Sequence, residues 1–370
     1  MQTGLTSGAI DPTSVTEVGS GFQMLAMLLT LGLGPLSKPW RTSQMKKSLV
    51  ALAVLAASGA AMAQSSVTLF GIVDAGYAVG NGSISDKTSL RNSGYNSSRL
   101  GFRGVEDLGG GMKAGFHLEG ALSNDDGTPG GFNFQRRSVV TLSGKMGELI
   151  LGRDYTPQFW SETVYDPFGT NGVGTNIAFN KGGTTGVRSN NGIGYKSPSM
   201  GGVALWAQTW LAENASTAPK TGGGNGFRVT FDQGKFSAAF ADSTLTTGAG
   251  TTNKTSNIAG SYDLGVAKVM AQSNTTKITG AANIKGSVIG ALVPMAGGTV
   301  RIASSQTDQA GKKSSLMAVG FVQPMSKRTD LYATYARVSN SGGASAALNG
   351  AVTAANGSST GYEFGIKHSF

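Results

Sequence analysis

Alternation of apolar and polar residues, the pattern of an extended strand, recurs through most of this 370-residue chain and constrains its fold more than any other feature. Residues 112–122 show it plainly, because their charged and polar side chains all lie at alternate positions. The apolar face has Ala114, Phe116 and Leu118, and the polar face has Lys113, His117 and Glu119. Residues 98–104 and the last nine residues follow the same rule. The pattern predicts an all-β protein whose strands have one apolar and one polar face.

The connections between these strands alternate between short and long. Seven are short turns, at residues 106–112, 143–147, 197–202, 232–235, 263–265, 294–298 and 324–330. Eight are longer, polar stretches, at residues 80–96, 124–131, 157–186, 213–225, 244–254, 275–281, 307–313 and 340–358. Fifteen connections separate sixteen strands, and this even number with alternating loop lengths is typical of outer-membrane barrels rather than of two-sheet sandwiches. The pattern therefore predicts a sixteen-stranded antiparallel transmembrane β-barrel.

Composition excludes several other classes of protein. Gly accounts for 57 residues and charged side chains for only 14%, which suits tight turns and short strands better than a helical bundle. No apolar run long enough for a spanning helix occurs beyond the N-terminal region. Because the chain has no Cys and only two His, we predict neither a metal site nor a cofactor. The net charge of +10 comes without a long basic run or a nucleic-acid motif, so no nucleic-acid partner is predicted.

The N-terminal region has the pattern of an export signal. Residues 45–63 join two lysines, Lys46 and Lys47, to a short apolar segment and an Ala-x-Ala ending at Ala63. We interpret them as a Sec signal peptide cleaved before Gln64, because the apolar segment is shorter than the ~20 residues of a spanning helix. Residues 1–44 would precede this signal, so we interpret them as an over-called N-terminal extension; an unusually long n-region is the alternative. Residues 64–370 would form the barrel.

One connection differs from the others in its length and its aromatic residues. Residues 154–188 show no strand periodicity but contain six aromatic side chains, Tyr155, Phe159, Trp160, Tyr165, Phe168 and Phe179. Loops of this length are usually functional or disordered, and the aromatic residues argue against disorder. We therefore predict a loop that folds into the mouth of a pore.

Six segments of the chain form a recognisable set. They are SSVTLFGIVDAGY (65–77), SRLGFRGVEDLGGGMKAGFHLE (98–119), LGRDYTP (151–157), YDPFG (165–169), RSNNGIGYKSP (188–198) and YEFGIKHSF (362–370). Together they resemble the Gram-negative general porins, most closely the β-proteobacterial type, over about residues 65–370. The resemblance implies a trimer of sixteen-stranded barrels in the outer membrane, with the third external loop folded inward as the constriction.

The resemblance also implies that certain wall arginines line the constriction. In the family, the positions of Arg99, Arg153 and Arg188 form a basic ladder that faces an acidic loop. Alternation supports Arg188, which shares a face with Lys196. Arg153 is in phase with apolar neighbours, so either a bulge at Gly152 shifts the register or Arg153 does not face the lumen.

Two adjacent arginines, Arg136 and Arg137, leave a choice open. By alternation only one of them points inward, and it is Arg137 if Val140 and Leu142 face the lipid. The family pattern, however, usually has a single Arg at the position of Arg136. The sequence alone does not decide between them.

The predicted loop acids would oppose these arginines across the pore. The constriction set is Arg99, Arg137, Arg153, Arg188, Glu162 and Asp166, and further lumen candidates are Asp74, Arg103, Lys113, His117, Glu119, Arg136 and Lys196. Four basic and two acidic residues precede Gln64, so a chain that begins there keeps +8 of the +10 charge. Because wall cations outnumber loop anions, we predict a preference for anions. The alternative is that these arginines are only solvated lumen residues paired with nearby acids.

The final strand carries its own pattern. Tyr362, Phe364, Ile366 and Phe370 alternate on one face, which His368 interrupts. A terminal aromatic ring suits the membrane interface, and the resemblance implies that this pattern is the signal for the outer-membrane assembly machinery. The other partners that the resemblance implies are two further copies of the chain, outer-membrane lipid and lipopolysaccharide, and small hydrophilic solutes and ions.

The sequence therefore predicts an exported, non-enzymatic porin of the Gram-negative outer membrane, a channel for passive diffusion of small hydrophilic solutes. One alternative is a channel selective for small organic or inorganic anions, whose conductance would saturate at low solute concentration. Another is a surface adhesin barrel with negligible conductance. An enzyme is not predicted, since neither His117 nor His368 lies in a recognisable nucleophile motif.

Overall fold

The chain folds into one closed antiparallel sheet. The computed structural model describes residues 66–128, 133–177 and 185–370. Within these ranges the strands are Ser66–Asn81 (β1), Lys87–Asn92 (β2), Arg99–Gly109 (β3), Met112–Ala121 (β4), Arg137–Gly144 (β5), Gly147–Tyr155 (β6), Arg188–Lys196 (β7), Val203–Trp210 (β8), Gly224–Gln233 (β9), Phe236–Gly248 (β10), Thr251–Asp263 (β11), Lys268–Ile278 (β12), Ile284–Met295 (β13), Gly298–Gln309 (β14), Lys312–Pro324 (β15), Thr329–Ser341 (β16) and Ser358–Ser369 (β17). One helix, Pro157–Val164 (α1), lies in the same ranges.

The first strand closes the barrel. β1 pairs with β17 on one side, where Ala75 lies opposite Ile366, and with both β2 and β3 on the other. β3 pairs with the N-terminal half of β1 and β2 with the C-terminal half, so β2 and β3 together fill one position in the barrel. The other neighbouring strands are consecutive in sequence. The described sheet therefore has sixteen positions, which confirms the predicted strand number and antiparallel order.

The seven short turns all lie at one end of the barrel, as predicted. At the other end, three of the predicted loops, at residues 244–254, 275–281 and 307–313, are mostly strand. Residues 80–96 likewise contain β2. The predicted loop bounds were wrong there because Thr- and Asn-rich sequence was interpreted as loop, whereas Thr has a high strand propensity and a hairpin beyond the membrane needs no apolar face.

The barrel has an apolar outer surface and a largely polar inner one. On β15, Met317 and Val319 are exposed on the outside, while Ser314 is buried on the inside. The inner faces of other strands bury polar side chains such as Asn257 and Gln272, a pattern typical of outer-membrane barrels. Among the described residues, no helix is both long and apolar enough to cross a membrane.

The long connection between β6 and β7, residues 156–187, starts with a well-capped helix. The Thr156 hydroxyl accepts a hydrogen bond from the Phe159 N–H at 3.4 Å, and Pro157 occupies the first turn, where its missing N–H costs nothing. We call residues 156–187 the constriction loop. It is the third of the eight connections at the loop end, as predicted.

The part of the constriction loop up to residue 177 crosses the inside of the barrel. Near α1, Gln272 Nε2 on β12 donates to the Glu162 carbonyl at 2.9 Å, and the hydroxyls of Tyr165 and Ser237 lie 2.7 Å apart. Further along, three loop side chains join a buried apolar cluster with residues of β14, β15 and β16. The cluster includes Phe168, Val173 and Ile177 from the loop, with Ala303, Leu316, Ala318, Ala336 and Val338 from the wall. These contacts confirm the predicted inward fold.

Parts of the chain for which the sequence makes predictions lie outside the described residues. They are residues 1–44, the predicted signal peptide at 45–63, and Phe179 of the constriction loop.

Candidate functional site

Three arginines from different parts of the wall meet beside the start of the constriction loop. Arg136 Nε donates to Glu119 Oε1 at 2.6 Å, and Arg99 Nη1 lies 3.7 Å from the same oxygen. On the other side, Arg136 Nη2 and Arg188 Nη2 both donate to the Tyr155 hydroxyl, at 3.1 and 2.9 Å. Two acceptors, one carboxylate and one phenol, therefore hold three guanidinium groups together. We call Arg99, Arg136 and Arg188 the arginine cluster.

Tyr155 is itself held by aromatic contacts. Its ring stacks on Phe159 with centroids 5.5 Å apart and packs against Trp160 at 5.3 Å. The Arg188 guanidinium carbon lies 4.4 Å from the centre of the Tyr155 ring, within the range of a cation–π contact. The first turn of the constriction loop thus fixes the position of a wall cation.

A fourth arginine, Arg301 on β14, faces the same space from another part of the wall. Its guanidinium carbon lies between two rings, 4.4 Å from the centre of Phe168 and 4.9 Å from the centre of Tyr95. Its Nε and Nη2 groups are buried and find no hydrogen-bond acceptor among the described residues. The sequence analysis missed Arg301, although a charged residue between the apolar Val300 and Ile302 is a signal for an inward-facing position.

These four arginines border one cavity inside the barrel. It has a volume of about 710 Å³ and lies between the constriction loop and the wall. The side chains that line it include Arg99, Arg136, Arg188, Arg301, Thr163 and Asn171. The structure therefore brings together Arg99 and Arg188, predicted for the constriction, with Arg136, predicted as a lumen candidate, and it adds Arg301.

The loop carboxylate of Glu162 does not face the arginines. Its side chain is 3% exposed and lies between α1 and the barrel wall. Burial raises the pKa of Glu162 to about 7, against a hydrogen bond with Gln158 that lowers it. The predicted role of Glu162 in the constriction was wrong, because a short helix packed on the wall buries one face and Glu162 lies on that face.

Asp166 has a structural role in the loop. It borders the cavity, but its oxygens accept the backbone N–H groups of Phe168, Thr170 and Asn176 at 2.9, 3.2 and 3.3 Å. It is 5% exposed, and burial raises its pKa to about 6 although these N–H groups and Arg301 favour the charged form. Asp166 therefore organises the turn after α1 rather than presenting a free charge to the pore.

The structure places Arg153 outside the cluster. The predicted bulge is present, since Gly152 has φ +123° and the pairing of β6 with β7 shifts between Gly152 and Asp154. The alternation of β6 is unbroken, so Asp154 lies inward with buried Ile150, and its carboxylate accepts from Arg137 Nη2 at 2.9 Å. Arg153 hydrogen-bonds to the exposed side chain of Asn190. The constriction assignment of Arg153 was wrong because the extra residue of the bulge lies on β7, so Arg153 keeps the phase of the outward-facing Leu149 and Leu151.

Both members of the pair Arg136 and Arg137 turn inward. Arg137 begins β5 and, as alternation predicts, lies on the inner face with buried Val139. Arg136 precedes the strand, so alternation does not govern it, and its side chain joins the arginine cluster. Arg136, not Arg137, is therefore the neighbour of Arg99 and Arg188.

Arg137 belongs to a second charged group in the lumen. His117 links this group to the cluster, because its Nε2 lies 3.4 Å from Glu119 Oε2 and its Nδ1 lies 3.4 Å from Arg137 Nη1. The ring of Phe70 packs edge-on against His117 at 5.1 Å and lies under Arg103 at 5.2 Å. Lys113 shares the inner face of β4 with His117, and Lys196 lies 4.4 Å from the centre of the Trp206 ring.

Asp74 is not a solvated lumen acid. It is fully buried and accepts hydrogen bonds from the N–H groups of Gly94, Tyr95 and Asn96 at 3.3, 2.9 and 2.5 Å and from the Tyr332 hydroxyl at 2.7 Å. Its carboxylate therefore fixes the turn between β2 and β3 against the wall. The interpretation of Asp74 as a solvated lumen residue was wrong, because three backbone N–H groups and one hydroxyl occupy its carboxylate oxygens.

The terminal aromatic residues lie on the outer surface. Tyr362, Phe364, Ile366 and Phe370 are all exposed there, as alternation predicts. The backbone N–H and carbonyl of Phe370 each bond to Gly71 at 3.1 Å, so the last residue completes the seam between β17 and β1.

The described residues contain no group of three or more His, Cys, Asp or Glu side chains that could hold a metal ion.

Comparison with known proteins gives a consistent family. The family model described as "Gram-negative porin" matches residues 48–343. Outer membrane porin protein 32 of Delftia acidovorans is 40% identical over 351 residues, which span 88% of this chain and all of the relative. An outer membrane porin protein of Bordetella pertussis is 32% identical over 240 residues, 59% of each chain.

A solved structure matches the barrel as well. The anion-selective porin from Comamonas acidovorans superimposes with a TM-score of 0.78 at 36% identity and covers 83% of this chain and all of its own. The matches to the family model and to the Delftia porin each span most of the chain. The chain therefore belongs to the Gram-negative porin family and is an outer-membrane porin, not an enzyme.

Proposed function

We propose that this porin forms a water-filled channel for passive diffusion of small hydrophilic solutes and ions, and that the channel favours anions. The observation that carries the proposal is the imbalance of charge around the cavity, which is bordered by Arg99, Arg136, Arg188 and Arg301. Arginine keeps its charge at any physiological pH. A ring of fixed positive charge attracts anions and repels cations.

The carboxylates near the cavity do not cancel this charge. Glu119 lies between Arg99 and Arg136, and its single charge is shared by both. Glu162 is buried against the wall, and Asp166 accepts backbone N–H groups. Asp330, which also borders the cavity, is paired with Lys367 at 2.9 Å. An ion that passes the constriction loop therefore meets guanidinium groups that carry excess positive charge. The anion selectivity that describes the Comamonas porin is in line with the same sign of preference here.

The reversal potential in a planar lipid bilayer tests this proposal. With a tenfold gradient of KCl across the membrane, the reversal potential of an anion-preferring channel has the same sign as the equilibrium potential of chloride. The gradient is then repeated with potassium acetate and with tetraethylammonium chloride, which alter one ion at a time. A potential of the sign set by potassium in the KCl gradient contradicts the proposal.

One feature favours the narrower alternative of a channel selective for small anions. The Nε group of Arg188 and the Nε and Nη2 groups of Arg301 are buried donors without an acceptor among the described residues. Buried donors are costly unless they bond, and an anion in transit can accept these bonds. Selectivity of this kind predicts a conductance that saturates at low concentrations of the preferred anion, whereas a general pore stays linear.

We further propose that residues 45–63 are removed by Sec-dependent export and that the exported barrel, residues 64–370, assembles as a homotrimer. The exposed apolar outer face of β17, which includes Tyr362, Phe364 and Phe370, supports recognition by the outer-membrane assembly machinery. N-terminal sequencing of the protein from outer membranes tests the cleavage before Gln64. Electrophoresis without heating tests the trimer, which should dissociate only after boiling.

A further inference from the structure

Four lysines face outward at the loop end of neighbouring strands. Lys254 on β11 lies directly opposite Lys277 on β12. Lys285 on β13 lies opposite Asp308 on β14, and Asp308 lies opposite Lys313 on β15. All four lysine side chains are exposed. We call Lys254, Lys277, Lys285 and Lys313 the lysine row.

The lysine row carries more positive charge than its surroundings balance. Lys254 lies 3.3 Å from Asp242 and Lys313 lies 3.8 Å from Asp308. Lys277 and Lys285 form no ion pair with any residue in the described ranges. Like charges directly opposite on paired strands are unfavourable, as for Lys254 and Lys277. An anion held between the lysines would relieve that repulsion.

A groove lies directly below the lysine row on the outer surface of β11 to β14. Its volume is about 580 Å³. Its first outward-facing row consists of Ile258, Ser273, Ser287 and Gln306 in register, one outward position below Lys285 and Lys313 and two below Lys254 and Lys277. Its second row consists of Gly260, Ala271, Ile289 and Ser304. Small side chains form the floor, and Ile258 and Ile289, 63% and 65% exposed, project as walls.

The depth of the lysine row along the barrel matches a lipid headgroup. Lys285 lies ten residues before Met295, where β13 ends at the short-turn side. Ten residues of a strand tilted by about 40° rise about 25 Å along the barrel axis, which is the height of the apolar band of such barrels. The outward residues Ile289, Ala291 and Val293 lie within that band. Lys285 and, in register with it through Asp308, Lys313 are therefore at its outer boundary, and Lys254 and Lys277 lie one position further out.

We propose that the lysine row and the groove together bind one molecule of lipopolysaccharide from the outer leaflet. The lipid anchor of this molecule carries phosphate groups, then amide and ester linkages, then acyl chains. The structure offers partners in the same order. Lys277, Lys285 and Lys313 meet the phosphate, the hydroxyls of Ser273 and Ser287 donate to linkage carbonyls, and an acyl chain lies in the groove below.

The spacing of the rows down the wall suits this lipid. One outward position, as from Lys285 to Ser287, corresponds to two residues, or about 6.6 Å along a strand, which is the scale of the distance from a sugar phosphate to an acyl linkage. Lys277 lies one position further out, about 13 Å along the strand from Ser273. The site rests on the outer-membrane location of the porin and not on its anion preference. It is also separate from the pore, because all of its side chains face outward.

A charge-matched pair of variants tests the lysine row. The first carries Lys277→Gln, Lys285→Gln and Lys313→Gln. The control carries Lys145→Gln, Lys235→Gln and Lys327→Gln, which remove the same charge from exposed lysines in the short turns. Each porin is purified from outer membranes in mild detergent, stripped of lipid and titrated with lipopolysaccharide by native mass spectrometry. We expect at least a tenfold weaker affinity for the first variant and less than a twofold change for the control.

Two further arms separate the parts of the site. Lipopolysaccharide from which the phosphates have been removed should bind the unmodified porin as weakly as intact lipopolysaccharide binds the lysine-row variant. Ser287→Phe, which fills the groove without changing charge, should weaken binding at least fivefold. Equal affinity of the lysine-row variant and its control would overturn the proposal. So would loss of the oligomer with unchanged lipid binding, which would assign this face to a second copy of the chain.

Discussion

Arg188 and Tyr155 are joined twice, since the guanidinium of Arg188 lies 4.4 Å from the centre of the Tyr155 ring and its Nη2 donates to the Tyr155 hydroxyl at 2.9 Å. Tyr155 ends β6 and Arg188 begins β7, so this contact closes the base of the constriction loop. The same hydroxyl also accepts from Arg136. One phenol thus couples the position of the loop to the position of the wall charges.

A variant that lacks only that hydroxyl changes how the two arginines are held without changing the charge around the cavity. In Tyr155→Phe the ring stack remains, but Arg136 and Arg188 each lose an acceptor. We expect the sign of the reversal potential to stay the same, because no charge is removed, while the open-channel current becomes noisier. Tyr155→Ala, which also loses the stack on Phe159, should show the larger change. Identical current noise in Tyr155→Phe and the unmodified porin would contradict a positioning role.

Asp74 should be among the most sensitive positions for stability. Asp74→Ala leaves buried N–H groups of Gly94 and Tyr95 without their acceptor, at a cost of about 1–3 kcal/mol for each unsatisfied group. Tyr332→Phe removes one hydrogen bond to the same carboxylate and should cost about 1 kcal/mol. The temperature at which the folded barrel loses its compact gel mobility measures both. Equal effects of the two substitutions would show that Asp74 does not hold the turn.

Glu162 should make the barrel less stable as the pH rises. Burial raises its pKa from 4.5 to about 7, so between these values the folded protein holds a proton that the unfolded chain has released. Stability therefore falls as the pH rises through this window, and the penalty is fully present above pH 7, on the order of 3 kcal/mol. Glu162→Gln should remove this contribution and raise the unfolding temperature at pH 8 but not at pH 4, while the smaller fall due to Asp166, whose pKa burial raises to about 6, remains.

A matched control for this titration is Glu213→Gln. Glu213 is exposed in the connection between β8 and β9, so its substitution should leave the pH dependence as it is. The comparison uses the gel-mobility midpoint of each porin at pH 4, 6 and 8. If Glu162→Gln retains the full fall in stability between pH 4 and pH 8, another group is responsible.

Deletion of Phe370 should reduce the amount of folded porin in the outer membrane. The deletion removes two backbone hydrogen bonds to Gly71 and an exposed aromatic ring at the seam of the barrel. Phe370→Tyr keeps both features and serves as the control, since either ring suits the membrane interface. The readout is the heat-modifiable band in outer-membrane fractions, expected to fall several-fold for the deletion only. An undiminished band after the deletion would refute the role of the terminal residue.

The strand number and the place of the constriction loop followed from the sequence, because both depend on local alternation and on the order of connections. For residues such as Phe116 and Lys113, the position in the alternating pattern is enough to predict which face of the strand they occupy. The limits of the hairpins could not be predicted in the same way. Where β10 and β11 extend beyond the apolar band, Thr and Asn still pair with the opposite strand, and nothing in their polarity distinguishes strand from loop.

Individual site residues were harder to predict because bulges and strand ends break the alternation. The sequence suggests a bulge at Gly152 but not which strand carries its extra residue; that residue lies on β7, so Arg153 stays outward and Asp154 stays inward. Arg136 lies just before β5, so the alternation within the strand does not predict the direction of its side chain, which points into the lumen. The burial of Glu162 depends on how α1 meets the wall, which is a tertiary contact that no local pattern of the loop reveals.

The contrast between Arg188 and Arg153 decides whether the arginines around the cavity set the ion selectivity. Both arginines flank the constriction loop in sequence, but only Arg188 borders the cavity. The measurement is the reversal potential of Arg188→Gln and Arg153→Gln in the same KCl gradient, compared with the unmodified porin. We predict that Arg188→Gln lowers the permeability of chloride relative to potassium at least twofold and that Arg153→Gln leaves it unchanged. An equal shift in both variants, or no shift in Arg188→Gln, would contradict the account.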